Sequence, residues 1–113
     1  MKQTLIAVGS KDCRVTVWKF DSFKKDEESR KAYFEIFYGH HNEITALHIQ
    51  RILGIVISAD KDGVVLIFCI LSGKLLRSIY PHLQNDEFIK IIQADENGFV
   101  ILVTSKDKIY VYK

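Results

Sequence analysis

The stretch that decides the fold is IVISADKDGVVLIF, residues 55–68. Two runs of apolar and β-branched residues flank its central Asp-Lys-Asp-Gly segment. An Asp-Gly pair between two such runs is a strong signal for a β-hairpin. Residues 55–68 therefore predict two antiparallel strands that are joined by a tight turn.

The same strand–turn–strand pattern occurs three times along the chain. It is centred on the Lys-Asp pairs that begin at Lys11, Lys61 and Lys106, which are separated by 50 and 45 residues. The first shift aligns Trp18 with Phe68, whereas the second aligns Tyr112 with Phe68 only if one turn residue is deleted. Repeats of about 40–50 residues that each contain several short strands are typical of propeller blades.

Period-two alternation of apolar residues predicts an all-β chain. The predicted strands lie at residues 4–9, 14–19, 33–37, 44–49, 54–59, 64–70, 74–79, 88–94, 99–104 and 108–112. The charged stretch 21–31 lacks the apolar stripe of a surface helix, and we expect it to be a solvated loop.

Composition narrows the class of protein. The chain has 113 residues, 48% of them hydrophobic, and a net charge of +2, which suits one globular domain and argues against a nucleic-acid binder. Its two cysteines cannot form a disulfide framework or a CxxC metal site. The longest apolar run, residues 64–71, is too short to cross a membrane. These features predict a cytoplasmic module.

Two segments resemble WD repeats. Residues 9–19 are similar to the second half of such a repeat, and residues 39–68 are similar to a more complete one that opens with Gly39-His40. The sequence departs from the family pattern where aromatic or other residues replace the usual Trp-Asp and Gly-His pairs: Phe68, Tyr112, Lys19, Cys69 and Pro81-His82. The resemblance implies a partial WD-repeat β-propeller of about two to three blades, each a four-stranded antiparallel sheet.

A narrower resemblance connects the chain with BEACH-domain proteins of the neurobeachin and lysosomal-trafficking-regulator type. Residues 38–47, 53–63 and 72–79, with the long insert after Trp18, resemble the C-terminal propeller of those proteins. This implies a non-catalytic protein-interaction scaffold in vesicle trafficking, cytoplasmic or peripheral to endomembranes through its parent protein. It further implies protein partners, with no cofactor, nucleic acid or small-molecule substrate.

Two alternatives stay open at this point. The chain could be a WD-repeat targeting module of another multidomain protein, attached to a catalytic domain. It could also be an enzyme that uses a propeller pocket, although the sequence has no convergent carboxylate pair, nucleophile motif or cofactor-binding glycine loop. The reading frame that flanks the chain would discriminate between these functions.

The expected domain organisation is one partial propeller over residues 1–113. It comprises an incomplete blade at 1–38 with the charged insert 21–31, a complete blade at 39–80 and an incomplete blade at 81–113. Closed propellers need at least four blades. We therefore expect a piece of a longer polypeptide, whose uncovered apolar blade faces would make it self-associate when it is isolated.

The family pattern implies a structural hydrogen-bond network of His40, Ser58 and Asp62. The same three residue types could suggest a catalytic triad, but a triad is defined by geometry and an oxyanion hole. A metal site built on His40, His41, Glu43 and His48 lacks metal-ligand spacing. We therefore predict no catalytic and no metal-binding residues.

Contacts with partners are expected in the loops that join the strands. The candidate partner-contact residues are Lys11, His41, Asn42, Glu43, Lys61 and Lys106. Lysines in three equivalent turns would form a basic arc that suits a phosphorylated ligand or an anionic lipid. The alternative is that they are ordinary turn residues.

Overall fold

The computed structural model describes residues 3–21 and 32–113, and all regular structure in those ranges is β-strand. The strands are β1 (Gln3–Gly9), β2 (Val15–Asp21), β3 (Ala32–Phe37), β4 (Ile44–Gln50), β5 (Ile55–Asp60), β6 (Val65–Cys69), β7 (Leu75–Ile79), β8 (Ile89–Ala94), β9 (Val100–Thr104) and β10 (Ile109–Tyr112). The predicted all-β fold is confirmed, and each strand bound agrees within two residues. Residues 22–31 of the charged insert lie outside the described ranges.

The strands form three antiparallel sheets in which chain neighbours are also sheet neighbours. The first sheet is β1-β2-β3, the central sheet is β4-β5-β6-β7, and the third sheet is β8-β9-β10. With the exception of β2 and β3, which are separated by residues 22–31, short turns connect neighbouring strands within each sheet, because antiparallel neighbours need only a hairpin. The exact blade boundaries at residues 38/39 and 80/81 stay a prediction.

The two middle strands of the central sheet, β5 and β6, are buried on both faces. On one face Val56 packs with the first sheet, in a cluster that includes Val17, and the Phe37 and Phe68 rings lie 5.2 Å apart. On the other face Ile57 packs with the third sheet, in a cluster that includes Leu102. Strands buried on both faces are apolar at nearly every position, which explains the continuous hydrophobic runs of residues 55–68.

The outward faces of the first and third sheets carry apolar side chains. Ile6, Trp18 and Phe34 are register partners on the first sheet, where the Trp18 and Phe34 rings lie 4.8 Å apart and Phe34 is 54% exposed. Ile101 and Val111 are partners on the third sheet, and both are exposed. In the chain as it stands, each outer sheet therefore presents an apolar face to solvent.

Three turns share one geometry and correct the predicted alignment of the repeats. The N–H groups of Ser10, Asp60 and Thr104 each donate to the carbonyl oxygen four residues later, at 3.1, 3.2 and 2.9 Å. The fourth residues of these turns all have positive φ: Cys13 at 70°, Gly63 at 83° and Asp107 at 61°.

The spacing of these equivalent turns is therefore 50 and 44 residues, and the predicted spacing of 45 is wrong. With a shift of 44, Tyr112 aligns with Phe68 and no residue has to be deleted. Lys106 then aligns with Asp62 and not with Lys61. The three lysines of the expected basic arc are accordingly not in equivalent positions.

Candidate functional site: the loop rim beside the buried histidine

A buried hydrogen-bond network lies where the β3–β4 loop meets the central sheet. His40 Nδ1 lies 2.7 Å from Asp60 Oδ2, and His40 Nε2 lies 2.6 Å from Ser58 Oγ. The His40 side chain has no exposed surface, and that of Asp60 is 1% exposed. Such short bonds between buried groups fix the loop that carries His40 to strand β5.

The network contains Asp60 where the sequence analysis predicted Asp62. Asp60 is the last residue of β5 and lies two positions after Ser58, so the two side chains point to the same face of the sheet. Asp62 lies in the turn, where its Oδ1 accepts a hydrogen bond from Asn42 at 3.1 Å. The structure thus brings His40 and Ser58 together and places Asp62 on the surface beside them.

Asp60 also stabilises its own turn. Its Oδ1 accepts the backbone N–H groups of Asp62 at 2.9 Å and Val64 at 3.2 Å, while its Oδ2 contacts His40. An aspartate at the first position of a turn commonly accepts backbone N–H groups in this way. Both oxygens of this carboxylate are therefore hydrogen-bonded within the blade.

The order of bonds Asp60–His40–Ser58 is that of a serine hydrolase triad. A nucleophile must reach a substrate, and Ser58 has 0% of its surface exposed. The network therefore connects two elements of the blade, and its serine is buried away from solvent.

A second buried network occupies the equivalent place in the third sheet, and the sequence analysis missed it. The Thr104 hydroxyl donates to Glu87 Oε2 at 2.5 Å, and Glu87 Oε1 accepts the backbone N–H of Gln84 at 3.0 Å. The Thr104 hydroxyl and the Gln84 N–H hold the pKa of the Glu87 carboxyl below its usual value. Thr104 has the turn position of Asp60, and Glu87, like His40, precedes the first strand of its sheet.

The loop before β4 is joined to the β5–β6 turn by several contacts. The Lys61 N–H donates to the Glu43 carbonyl at 3.0 Å, and the Lys61 ammonium forms an ion pair with the Glu43 carboxylate. That ammonium lowers the pKa of Glu43. Asn42 contributes twice, because its Nδ2 donates to Asp62 and its Oδ1 accepts the Glu43 N–H at 2.8 Å.

The predicted contact residues therefore divide into bound and free ones. Lys61, Glu43 and Asn42 hold the loop, and Lys106 forms an ion pair with Asp86 at 2.7 Å. Lys11 and His41 are exposed. Because carboxylates neutralise two of its three lysines, the basic arc is not a concentrated positive surface.

A cleft opens beside the network. It has a volume of about 240 Å³ and is lined by Gly39, His41, Asp60, Asp62, Val64, Leu66, Leu75, Ser78 and Tyr80.

In residues 3–21 and 32–113, no three His, Cys, Asp or Glu side chains cluster as metal ligands would. Over the same ranges, no helix has the length and hydropathy needed to cross a membrane.

Comparison with solved structures identifies the architecture. The chain superposes on the WD40 β-propeller domain of Doa1 with a TM-score of 0.72, at 16% sequence identity over 96% of this chain and 33% of that one. The fold is that of WD40 propeller blades. This confirms the resemblance that the sequence indicated, including the partial propeller, since the chain spans about a third of the Doa1 domain.

Curated relatives add a second similarity. The chain is 29% identical over 105 residues to BEACH domain-containing protein lvsD of Dictyostelium discoideum, which covers 93% of this chain and 4% of that protein. It is also 29% identical over 120 residues to BEACH domain-containing protein B of Arabidopsis thaliana, which covers 92% of this chain and 4% of that protein. No protein-family model matches the chain.

Proposed function

We propose that the chain is a protein-interaction module from the WD-repeat region of a BEACH-type membrane-trafficking protein. The observation that carries the proposal is the combination of rigid WD40 blades with similarity to two BEACH domain-containing proteins over more than nine-tenths of the chain. Rigid sheets that hold loops in fixed positions are well suited to binding other proteins.

The proposed role is that of a non-catalytic scaffold. The two buried networks support it, because their polar groups bond to one another and to backbone groups inside the blades. We place the contact surface at the end of the sheets that carries the β1–β2 turn, with Lys11, and the β3–β4 loop, with His41, and we call this end the rim. The side chains of Lys11 and His41 extend from loops that are fixed at both ends. The proposed location is the cytoplasm, peripheral to endomembranes through the parent protein.

A rim variant tests the interaction role in the polypeptide as the cell makes it. The variant Lys11→Glu changes an exposed rim side chain that neither holds the loops nor lines the cleft. The matched control is Lys74→Glu, an exposed lysine in the β6–β7 turn at the opposite end of the central sheet. Co-purified proteins are quantified by mass spectrometry.

We expect the rim variant to lose a specific set of proteins that the control retains. An identical set of proteins with both variants contradicts the proposed contact surface. Recovery of the polypeptide in a membrane fraction that high salt releases tests the peripheral location. Salt releases a peripheral protein because it screens the electrostatic contacts with the membrane. Recovery in the soluble fraction alone, without added salt, contradicts that location.

A further inference from the structure

The 240 Å³ cleft is lined by both apolar and polar side chains. Leu66 and Ser78 are register partners in β6 and β7, so they share the face of the central sheet that packs towards the first sheet. Leu75 and Tyr80 line the same cleft and are 49% and 67% exposed. Half-exposed leucine and tyrosine side chains around a concave surface favour burial against a partner group.

Of the two carboxylates that line the cleft, one is accessible to a ligand. Asp60 is buried and both of its carboxylate oxygens are hydrogen-bonded within the blade, whereas Asp62 is exposed and its Oδ1 bonds to the neutral amide of Asn42. Among the cations of this rim, Arg14 pairs with Asp12 and Lys61 pairs with Glu43. Lys11 is exposed and forms no ion pair with Asp62 in the described part of the chain. The Asp62 charge is therefore free to attract a cationic ligand.

The size of the cleft restricts that ligand. Pockets for small molecules usually measure about 300–1,000 Å³, so 240 Å³ suits a single large side chain. Long basic side chains place their methylene groups on apolar surface and direct their charged end to polar groups. Of the two long basic side chains, lysine and arginine, arginine suits the cleft better, because its guanidinium forms paired hydrogen bonds with a carboxylate and stacks on aromatic rings.

We propose that this cleft binds an arginine side chain of a partner protein. The stem of the arginine lies on Leu66 and Leu75, and its guanidinium lies between the Asp62 carboxylate and the Tyr80 ring. This inference rests on the proposed protein-interaction function and names the chemistry of the partner group.

Equilibrium fluorescence anisotropy on the polypeptide as the cell makes it tests the inference directly. The probe is a fluorescein-labelled Gly-Arg-Gly peptide, and the matched probe is Gly-norleucine-Gly, which keeps an apolar stem without the charge. We expect measurable binding of the arginine probe and at least a threefold weaker binding of the norleucine probe. Equal binding of both probes, or none of the arginine probe, overturns the proposal.

Two variants locate the binding. Asp62→Asn removes the charge at an exposed turn position and should weaken binding of the arginine probe about three- to tenfold, as expected for a charge-assisted pair near the surface. Asp86→Asn makes the same change to a carboxylate of the rim that does not line the cleft, and it should leave binding unchanged. Equal effects of the two variants overturn the assignment.

These results are separable from a failure of the proposed function. If the polypeptide captures partners through its rim but Asp62→Asn captures them equally well, the arginine cleft is wrong and the interaction role stands. If the arginine probe binds in an Asp62-dependent way while rim variants lose no partner, the cleft stands and the contact surface proposed for the rim is wrong.

Discussion

Replacing His40 by alanine should destabilise the chain by about 2–4 kcal/mol. The substitution removes two short hydrogen bonds and leaves Ser58 Oγ and Asp60 Oδ2 without their partner in a fully buried site. An unsatisfied buried polar group costs about 1–3 kcal/mol, and a charged one costs more. Asp60 keeps the two backbone bonds to its other oxygen, which limits the loss.

Urea denaturation followed by far-ultraviolet circular dichroism measures this loss. With an m-value of about 1–3 kcal/mol/M, the midpoint should fall by about 0.7–4 M at constant protein concentration. The matched control is Asp62→Asn, which alters an exposed hydrogen bond to Asn42 and should cost less than about 1 kcal/mol. If Asp62→Asn costs as much as His40→Ala, our assignment of Asp60 to the network is refuted.

Three further outcomes are expected. Gly63→Ala should destabilise the fold by about 1–2 kcal/mol more than Gly54→Ala in the same urea assay. Both glycines have positive φ, but only at position 63 does the new methyl group lie 2.9 Å from a leucine side chain. Equal losses of stability would show that this contact costs nothing. The pKa of Glu87 is lower in the folded than in the unfolded chain, so this residue stabilises the fold at pH values above its unfolded pKa of about 4.3, and the stabilisation is lost as the pH falls through the folded pKa. Glu87→Gln should therefore flatten the dependence of stability on pH below about pH 4.3. An unchanged dependence would contradict this. Light scattering should show self-association that Phe34→Lys and Ile101→Lys each reduce, because both side chains lie on uncovered sheet faces; a monodisperse wild-type monomer would refute it.

The strands were predictable because alternation and turn residues are local signals. Residues 55–68 specify two strands and a turn by themselves, and the repeat of that pattern indicates propeller blades. The 44-residue spacing was missed because the repeats were aligned on identical Lys-Asp pairs, including the pair at Lys106, whereas the third turn begins at Thr104. The hydrogen bonds of the turn, which cannot be seen in the amino-acid sequence, determine the correct alignment.

The site was predictable in part for a related reason. His40 and Ser58 follow from the family pattern, but two aspartates compete for the third position in the Asp-Lys-Asp-Gly turn. Aspartate at the first position and glycine at the fourth is a known preference of type I turns, and that signal favours Asp60. The Glu87–Thr104 network has no such signal, because its residue types differ from those of the family pattern.

Strand β5 illustrates how a few polar atoms specify a structure. Shifting a strand by one residue exchanges its two faces, and in most sheets this error is prevented because apolar side chains would meet water. Here both faces of β5 are buried, so hydrophobicity alone would tolerate Val56 and Ile57 in each other's place. A shifted strand would instead carry Ser58 and Asp60 into the apolar interior on the side of the third sheet, far from the imidazole that bonds them. The two hydrogen bonds of His40 thus favour the observed register of β5, which burial of apolar side chains alone would not select.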